Sequence, residues 1–493
     1  MGGLTMATAH PAPRTSARHR LAAAGLAALV PLTALGAATA PASADTGASA
    51  GPGAELVRDS VLDEQGLYFE SYDGIVNNNS FQQEGILTHG RYQYAAWYTA
   101  DRTAVIARRP AGTPAAWQTV ELPHKLSADD SHNVIAMGVS AEDGRLHIAM
   151  DTHNSTVYYL RSQTGLADGR GPWKADSFGE VQRSLEGLDP GGITYPRFVP
   201  TPDGGLQLTY RTGGSGDGVL ELAEYTGQDW TNVGAWSSAE GGYAANGATS
   251  GTRNMYLHGI GYDTDGRLHA SFTWRETAAG GDILCDPGGL ANHDTGYVYS
   301  DDMGRTWRTD DGRLAAETGT GNRVSVDTPG HVVDPLGVDH ALMNQESQAV
   351  DSGGAPHIMV SYVPGRFTQC VGDFVGQREQ WARPFHIFRD DSGSWHKTEL
   401  PERVDAFGRS RLVLGPDDDA YAVLPGGTIL AATAASDYSD WRTVYDGAGI
   451  DSFGEVLVDD SRLDSDGRLS VFYQEPSTGE EPSPVHVADF AVD

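Results

Sequence analysis

Short runs in which apolar and polar residues alternate recur along the chain, each preceded by a turn of the Asp/Gly type. Clear copies run from Glu142 to Ala149, Asp203 to Leu208, Asp265 to Ala270 and Asp466 to Val471. Asp-Gly favours a tight turn because its residues accept positive φ, and alternation with period two is typical of a strand. The pattern therefore predicts β-hairpins.

Weaker copies extend this series to seven turns. They are centred near Gly90, Gly144, Gly204, Gly266, Gly354, Asp419 and Gly467. Spacings of roughly 50 to 65 residues, with one longer gap, suit four-stranded blades. After the N-terminal region no stretch has the 3.6-residue apolar period of a helix. We therefore predict an all-β fold, a seven-bladed β-propeller. A pair of β-sandwiches is the alternative, because hairpins alone do not count blades.

The N-terminus has the layout of an export signal. Arg14, Arg18 and Arg20 precede an Ala/Leu-rich run that Pro31 interrupts, and Ala-Ser-Ala at 42–44 supplies a cleavage pattern. A membrane anchor is the alternative, although the proline and the cleavage pattern argue against it. Without a twin arginine, the Sec route is the simpler expectation. We expect a signal peptide at 1–44, a flexible leader at 45–60, a single propeller domain at 61–493, and secretion.

The formal net charge of −32 limits the partners. Such a surface repels nucleic acid and anionic membranes. No second apolar stretch is long enough to span a bilayer, so we expect no membrane association after signal cleavage. If the ligand is itself a polyanion, the positive charge that binds it must be concentrated in a pocket. The sequence gives no indication of the oligomeric state.

One hairpin matches a known structural motif. The segment Ser300–Trp307 fits the Asp-box pattern S-x-D-x-G-x-T-W, which is common in sialidase-like propellers. Its Ser and Asp can bond to the turn backbone while the Trp packs beneath. We assign it no chemistry.

Several polar segments stand out from these hairpins as candidates for chemistry. They are 129–133 (DDSHN), 151–154 (DTHN), 194–197 (TYPR), 210–218 (YRTGGSGDG), 253–259 (RNMYLHG) and 273–277 (TWRET).

Together with an NHD at 292–294, these motifs in this order resemble the BNR-repeat polysaccharide lyases, which include ulvan lyases and rhamnose-glucuronate lyases. The resemblance covers roughly residues 65–380. It implies a propeller that cleaves the glycosidic bond at a uronic acid, glucuronate or iduronate next to rhamnose, by β-elimination. The product would be a 4,5-unsaturated uronate, and the partner an anionic polysaccharide.

That chemistry needs the side chains found in these segments. Removing the C5 proton of a uronate leaves an enolate whose charge gathers on the carboxylate, so a cation must neutralise it. The planar fork of Arg matches a carboxylate, and His or Tyr can transfer the protons. The resemblance implies Arg211 as neutraliser, Tyr195 as a proton-transfer residue and His132 as the other base or its helper. Which of the last two takes the proton stays open.

Further candidates complete the predicted site. His153 and Tyr256 are expected to form the pocket wall, and Arg275 to bind a further carboxylate. The remaining substrate-binding candidates are Asn133, Asn254 and Trp274.

Each candidate also has a purely structural interpretation. A lone His is more often a surface or satisfied core residue, and Tyr195-Pro196 is also compatible with a strand-entry turn. The glycines of 213–218 also suit a loop chosen for backbone freedom. No Gly-Lys-Ser/Thr follows them, which argues against a nucleotide loop.

The two cysteines, Cys285 and Cys370, allow one bridge, one shared metal or two free thiols. Some lyases of the resembling family carry a structural metal, which implies a zinc site of Cys285, His293 and Cys370, with His258 or His340 as a further ligand. A disulfide is equally compatible with a secreted chain. Calcium at the acidic clusters 417–419 and 464–467 is a weaker alternative to solvated turns. We expect the chemistry to require no cofactor, because Arg211 already supplies the positive charge.

Two other functions remain open from the sequence. A sialidase-like glycoside hydrolase would need carboxylates beside the bond, and Glu276 is the nearby carboxylate. A non-catalytic sugar-binding propeller would use aromatic platforms such as Trp97, Trp274 and Tyr256.

Overall fold

Antiparallel strands account for most of the regular secondary structure in the computed structural model of the chain. The structure describes residues 51–82, 84–277, 282–404 and 408–492, which belong to one compact unit. The predicted signal peptide at 1–44 lies outside the described residues, so the cleavage site stays a prediction.

The strands are numbered in chain order and fall into three stretches. The first stretch contains β1 (Ala54–Gly66), β2 (Ile86–His89), β3 (Tyr92–Tyr98), β4 (Thr103–Pro110), β5 (Gln118–Lys125), β6 (Ile135–Ser140), β7 (Arg145–Met150), β8 (Ser155–Thr156) and β9 (Tyr158–Arg161). The second contains β10 (Gly192–Pro200), β11 (Leu206–Gly214), β12 (Asp217–Tyr225), β13 (Trp230–Ala235), β14 (Glu240–Ala245), β15 (Ala248–Tyr262), β16 (Leu268–Glu276), β17 (Asn292–Ser300), β18 (Thr306–Arg308), β19 (Leu314–Glu317) and β20 (Val332–Asp334). The third contains β21 (Ser347–Val350), β22 (Pro356–Tyr362), β23 (Arg383–Arg389), β24 (Trp395–Glu399), β25 (Arg411–Leu414), β26 (Ala420–Val423), β27 (Ile429–Ala432), β28 (Arg442–Tyr445), β29 (Leu457–Asp459), β30 (Arg468–Gln474) and β31 (Ser483–Val492).

Helices are few and short in the described part of the chain. Helix α1 (Phe374–Trp381) follows β22, and helix α2 (Asp460–Asp466) lies between β29 and β30. An aspartate caps each of them: the carboxylates of Asp373 and Asp459 accept the backbone N–H groups of Gly376 and Arg462. Across the described ranges, no helix has the length and apolar character that crossing a bilayer requires.

The described strands form seven antiparallel sheets that follow one another along the chain. Their members are β2–β5; β6, β7 and β9; β8 with β10–β13; β14–β20; β21–β24; β25–β28; and β29–β31 with β1. In the last sheet β1 pairs with β31, so the N-terminal strand closes the ring against the C-terminal one. The expectation of an all-β propeller is confirmed.

The inner wall of the propeller is formed by β2, β6, β10, β15, β21, β25 and β29. We call these the first strands of their sheets and the strands that follow them in the chain the second strands, leaving aside the flanking strands β8 and β14. Contacts run from β2 to β6, β10, β15, β21 and β25, and β29 returns to β2. Strands β6 and β7 are buried along almost their whole length because neighbouring sheets cover both faces, whereas the outer strand β5 alternates between exposed and buried residues. Apolar clusters fill the spaces between sheets; one contains the stacked rings of Trp236 and Trp307.

The Asp/Gly turns of the sequence repeat share one structural position. Each lies between the first and second strands of a different sheet, and at the last of them α2 is inserted before Gly467. Six have a glycine with positive φ, and Asp418 takes this conformation in the remaining one. These turns therefore mark one face of the propeller, and the loops that enter the first strands mark the opposite face.

The Asp-box hairpin has the predicted structural role. The Asp302 carboxylate accepts the backbone N–H and hydroxyl of Thr306, both at 2.7 Å, and Trp307 is fully buried.

The predicted leader boundary is wrong, because β1 begins at Ala54, inside 45–60. Its residues alternate between partly buried and exposed positions, and Leu56 and Leu62 pack against apolar clusters of neighbouring sheets. The small, polar residues that precede this strand hid the alternation.

Candidate active site

The polar segments of the sequence meet on the face opposite the Asp/Gly turns. His132 precedes the first strand β6, and Tyr195 and Tyr256 lie in the first strands β10 and β15. Arg211 and Arg275 lie near the far ends of the second strands β11 and β16. Because first and second strands run antiparallel, these positions come to the same end of the propeller.

Arg211 lies at the centre of this group. Its Nη2 donates to Asn154 Oδ1 at 2.9 Å and to Thr194 Oγ1 at 3.1 Å, and its Nη1 donates to the Tyr256 hydroxyl at 3.4 Å. The residue is 1% exposed, and its Nε has no hydrogen-bond partner among the described residues. All of these partners are neutral, so a nearly buried guanidinium lacks a carboxylate. The arrangement favours an anion at this position.

Asn154 covers the guanidinium from the solvent side. It is itself exposed and has a positive φ of 49°. Its backbone N–H donates to Thr194 Oγ1 at 2.8 Å, and the same hydroxyl donates to Asn154 Oδ1 at 3.1 Å. The amide oxygen of Asn154 therefore presents to Arg211 the kind of acceptor that a carboxylate oxygen would present. Sequence reasoning included Asn154 in a polar segment without giving it a role.

Tyr195 is positioned by a β-bulge. The pairing of β10 with β11 is shifted between Thr194 and Arg197, and Tyr195 has a φ of 56°. Pro196 has no N–H to give to a ladder, which favours an irregular step there. The Arg211 guanidinium carbon lies 5.1 Å from the centroid of the Tyr195 ring. Burial, followed by the neighbouring Tyr256 phenol, raises the pKa of Tyr195 above its usual range, so the phenol stays protonated.

Tyr256 has the opposite electrostatic environment. Burial alone would raise the pKa of Tyr256, but the positive charges of Arg211 and Arg275 and hydrogen bonds from neighbouring polar groups lower it below its usual value. Its hydroxyl lies 3.3 Å from Ser215 Oγ. Arg275 is half-buried and forms no ion pair with a described residue. The two tyrosine rings are 6.0 Å apart, so the group combines two phenols with two unpaired guanidiniums.

Asp130 joins two stacked histidines beside Tyr195. The rings of His132 and His153 are 4.4 Å apart and nearly parallel, and both lie about 6 Å from the Tyr195 ring. His132 Nδ1 is 3.0 Å from Asp130 Oδ1, and His153 Nδ1 is 2.6 Å from Asp130 Oδ2. Because a carboxylate accepts hydrogen bonds, both Nδ1 atoms carry a proton. In a neutral imidazole, Nε2 is then left as the acceptor.

The protonation states in this group follow from the same contacts. Burial would raise the pKa of Asp130, but the hydrogen bonds from His132 and His153 hold it well below its usual range. Burial lowers the pKa of His132 and outweighs the opposing effect of the Asp130 hydrogen bond. An ionised carboxylate thus holds a neutral imidazole. The ligand atoms of these three residues also lie within 4.8 Å of one another, close enough for a shared cation.

Sequence reasoning missed several neighbours of the histidines. It assigned no role to Asp130, although the residue lies in a segment that it selected. Phe81 stacks on His132 at 5.2 Å, and the Arg409 guanidinium carbon lies 5.3 Å from the Phe81 ring centroid. Tyr72 meets His132 edge to face at 4.6 Å. Phe81, Arg409 and Tyr72 come from chain segments distant from the motifs, and no motif indicated them.

Three predicted substrate-binding residues are buried. Trp274 is fully buried and its indole N–H donates to His331 Nε2 at 2.9 Å, so the prediction that it contacts substrate is wrong. Successive residues of a strand point to opposite faces, so Trp274 and Arg275 face different sides. Asn254 is fully buried and accepts the Gly216 N–H at 2.5 Å, which makes it a support of the glycine-rich hairpin. Asn133 is 5% exposed and its Oδ1 has no described partner.

The predicted zinc set is wrong. Cys285 and Cys370 form a disulfide with a Cα–Cα distance of 5.9 Å, so neither thiol is available to a metal. His293 lies with other partners, 2.9 Å from Glu276 Oε1 and 3.0 Å from Asp294 Oδ2. The alternatives also bond elsewhere: His340 Nδ1 to the Val363 carbonyl, and His258 Nδ1 to the Glu346 N–H.

Glu276, the carboxylate of the hydrolase alternative, and Trp97, one of the proposed aromatic platforms, also have other partners. Glu276 forms a buried ion pair with Arg253 at 2.7 Å and is 1% exposed. Trp97 is 2% exposed, and its indole N–H donates to Asp63. Neither the hydrolase carboxylate nor the Trp97 platform is therefore accessible.

Fold and site together define a β-propeller that gathers Arg, Tyr and His side chains on one face. The sequence profile described as BNR repeat-containing family member matches residues 92–403. The chain belongs to this family.

Curated relatives with similar sequences are ulvan lyases. The long isoform from Alteromonas sp. (strain LOR) is 26% identical over 247 residues, which cover 42% of this chain and 24% of that protein. The long isoform from Glaciecola sp. (strain KUL10) is 24% identical over 200 residues, covering 32% and 19%. The chain thus aligns with about a quarter or less of the length of these relatives.

Two solved structures share the fold. The polysaccharide lyase Uly1 superposes with a TM-score of 0.66 at 18% identity, covering 88% of this chain and 99% of that one. The PL25 ulvan lyase bound to -[GlcA(1-4)Rha3S]- has a TM-score of 0.59 at 12% identity, covering 88% and 96%.

Proposed function

We propose that this chain is a polysaccharide lyase that cleaves a uronate-containing polysaccharide by β-elimination. One observation carries the proposal. The nearly buried guanidinium of Arg211, whose hydrogen-bond partners are neutral, lies beside the protonated phenol of Tyr195, and the neutral imidazole of His132 is close to that phenol. An unpaired buried cation is costly unless an anion completes it, and a uronate carboxylate is such an anion.

The carboxylate reaches Arg211 by displacing the amide oxygen of Asn154. The exposed Asn154 side chain can rotate away, whereas Thr194 is buried and stays as a second contact of the guanidinium. A bidentate contact with Arg211 then stabilises the enolate that forms when the C5 proton leaves. The pocket supplies concentrated positive charge although the whole chain has a net charge of −32.

We assign the base to His132 and the acid to Tyr195. The neutral His132 accepts the C5 proton on Nε2, and Asp130 stabilises the resulting imidazolium. Tyr195, whose pKa is raised, donates its proton to the departing O4. The C5–H and C4–O4 bonds break and a C4–C5 double bond forms, so neither water nor a redox partner is consumed. Tyr256 helps to orient the carboxylate through Arg211, and Arg275 accepts a further anionic group.

Ulvan is the first substrate to test. The curated relatives are named ulvan lyases, and one structural neighbour was solved with -[GlcA(1-4)Rha3S]-. A sulfate or a second carboxylate would complement the unpaired Arg275. The hydrolase alternative finds little support, since Glu276 is committed to a buried ion pair.

We propose that each of the seven sheets is one blade; bridges from Tyr159 to Gln182 and from Ser162 to Phe178 extend the three-stranded sheet toward a fourth strand.

The Arg-rich N-terminus and the disulfide support secretion through the Sec route. We propose that the chemistry requires no cofactor, since Arg211 supplies the positive charge.

A side-by-side digest tests the function. Ulvan and gum arabic are incubated with the wild type and with Arg211→Ala, and the ultraviolet absorbance of unsaturated uronates is followed. We expect absorbance with at least one polymer and none with the variant. Reducing ends without absorbance would support a hydrolase instead, and polymer binding without turnover would support a non-catalytic propeller.

A further inference from the structure

An exposed aromatic residue lies at the mouth of the candidate site. Tyr72 is 67% exposed, the highest value among the large hydrophobic residues in the described ranges. Its ring lies edge to face with His132 at 4.6 Å and with His153 at 6.3 Å. The exposed ring therefore borders the two imidazoles and buries little apolar surface of its own.

The backbone around Tyr72 is strained. Ser71 and Gly74 exchange backbone hydrogen bonds of 3.0 and 3.1 Å, which close a two-residue turn. The two central residues, Tyr72 and Asp73, have φ values of 50° and 60°. Glycine and asparagine favour this left-handed conformation, whereas a bulky residue adopts it at a cost. Folding alone thus gives no reason for a tyrosine here.

The turn is fixed to the loop that carries His132. The Ser131 backbone N–H donates to Ser71 Oγ at 2.7 Å, and Ser131 Oγ donates to the Ser71 carbonyl at 2.6 Å. Ser131 is fully buried, so the attachment is protected from water. The loop that positions His132 consequently also positions Tyr72, and strain held in place by its surroundings is a pointer to function.

We propose that Tyr72 is a stacking platform for the pyranose ring next to the uronate, an inference that rests on the proposed function. An exposed, rigid aromatic ring offers apolar area to the C–H face of a sugar. The platform and His132 lie at fixed separation, so a sugar seated on Tyr72 places its neighbour against the proton-transfer groups. The ligand class is a polymer in which a neutral or sulfated pyranose alternates with a uronate.

The turn itself provides a matched pair of variants. Tyr72→Asn removes the ring and relieves the left-handed strain, and Asp73→Gly relieves strain at the adjacent position while keeping the ring. Both variants are expected to melt at or above the wild-type temperature. We expect Tyr72→Asn to raise KM for the polymer about five- to tenfold with kcat unchanged, because it removes a ground-state contact. Asp73→Gly and Tyr72→Phe are expected to keep the wild-type KM.

Several results would overturn the platform. They are an unchanged KM in Tyr72→Asn, an equal rise in Asp73→Gly, or a Tyr72→Phe variant as impaired as Tyr72→Asn. If the wild type produces no unsaturated uronate from any polymer, the proposed function fails, and affinity electrophoresis in gels containing ulvan tests the platform independently. Retardation of Asp73→Gly but not of Tyr72→Asn supports it, and equal migration of the two refutes it.

Discussion

Replacing Asp130 by asparagine tests the proposed role of the histidine pair. The carboxylate accepts from the Nδ1 atoms of His132 and His153 and from the backbone N–H of His132 at 2.9 Å. An asparagine side chain has only one acceptor oxygen. We expect this oxygen to keep the two hydrogen bonds from His132, those of its backbone N–H and its Nδ1. The NH₂ group of the asparagine then faces His153 Nδ1 and forces that ring into the other tautomer.

The expected loss of activity follows from the lost negative charge beside His132. His132 keeps a neutral acceptor but loses a charge-assisted hydrogen bond worth roughly 1.5–3 kcal/mol, which no longer stabilises the imidazolium formed during proton transfer. Since positioned general bases contribute roughly 10²–10⁴-fold, we expect kcat to fall by about 10²-fold. The fold should be retained, because Asp130 is half-buried at the site and not in the core.

The pH profile gives the sharper test. Asp130 raises the pKa of His132 against the larger, lowering effect of burial. Removing its charge therefore lowers this pKa further. Because the base acts in its neutral form, the acidic limb of the profile of kcat/KM against pH should move to lower pH in the variant. A merely structural role would reduce activity without moving the limb.

The assay is the initial rate of ultraviolet absorbance from ulvan over a pH series. Asp129→Asn is the matched control, because the adjacent Asp129 is exposed and pairs with Arg102 away from the histidines. A wild-type rate in Asp130→Asn, or a limb displaced to higher pH, would refute the reasoning. Loss of wild-type activity on chelation would instead indicate a cation at the three-residue group.

Three further predictions concern the acid, the disulfide and a buried ion pair. Tyr195→Phe should lower kcat roughly 10²–10⁴-fold with unchanged melting, and a rate near the wild type would remove Tyr195 as the acid. Replacing Cys285 and Cys370 by serine opens a bridge between residues 85 apart and should cost about 4–5 kcal/mol in chemical denaturation; equal midpoints would contradict this. Glu276→Gln should cost roughly 3–5 kcal/mol, because it leaves buried positive charge unpaired. Burial would lower the pKa of His293, but its hydrogen bonds to Asp294 and Glu276 outweigh burial and raise this pKa. The stability that His293 contributes to the fold is therefore present below its unfolded pKa and is lost as pH rises through its folded pKa. In Glu276→Gln, the free energy of unfolding should depend less steeply on pH over this range.

Local sequence patterns were sufficient to predict much of the fold. Asp/Gly turns followed by alternating residues indicated the hairpin between the first two strands of each sheet, because turn chemistry and strand periodicity are local properties. The leader boundary failed at β1, whose partner β31 lies at the other end of the chain. When a strand is stabilised mainly by a partner this far away in the chain, its own residues show only a weak strand pattern.

The candidate site was predictable as a group but not in its contacts. Motif order brought together His132, Tyr195 and Arg211, whereas Asp130 and Asn154 gained roles through side-chain geometry that no spacing expresses. Trp274 was misassigned because adjacent strand residues face opposite sides. The predicted zinc set was wrong because two cysteines are compatible with a disulfide, a metal site or free thiols. The sequence does not give the spatial distance between Cys285 and Cys370, which the structure shows to be that of a disulfide.

The pairing of β1 with β31 has a consequence for engineering. Since this antiparallel pair brings Ala54 opposite Val492, a short peptide could join the two ends without stretching the last sheet. New termini could then be opened in a connection between two other sheets, on the side away from the pocket. Such a circular permutant should keep the candidate active site, while the chain ends lie between two other sheets of the propeller.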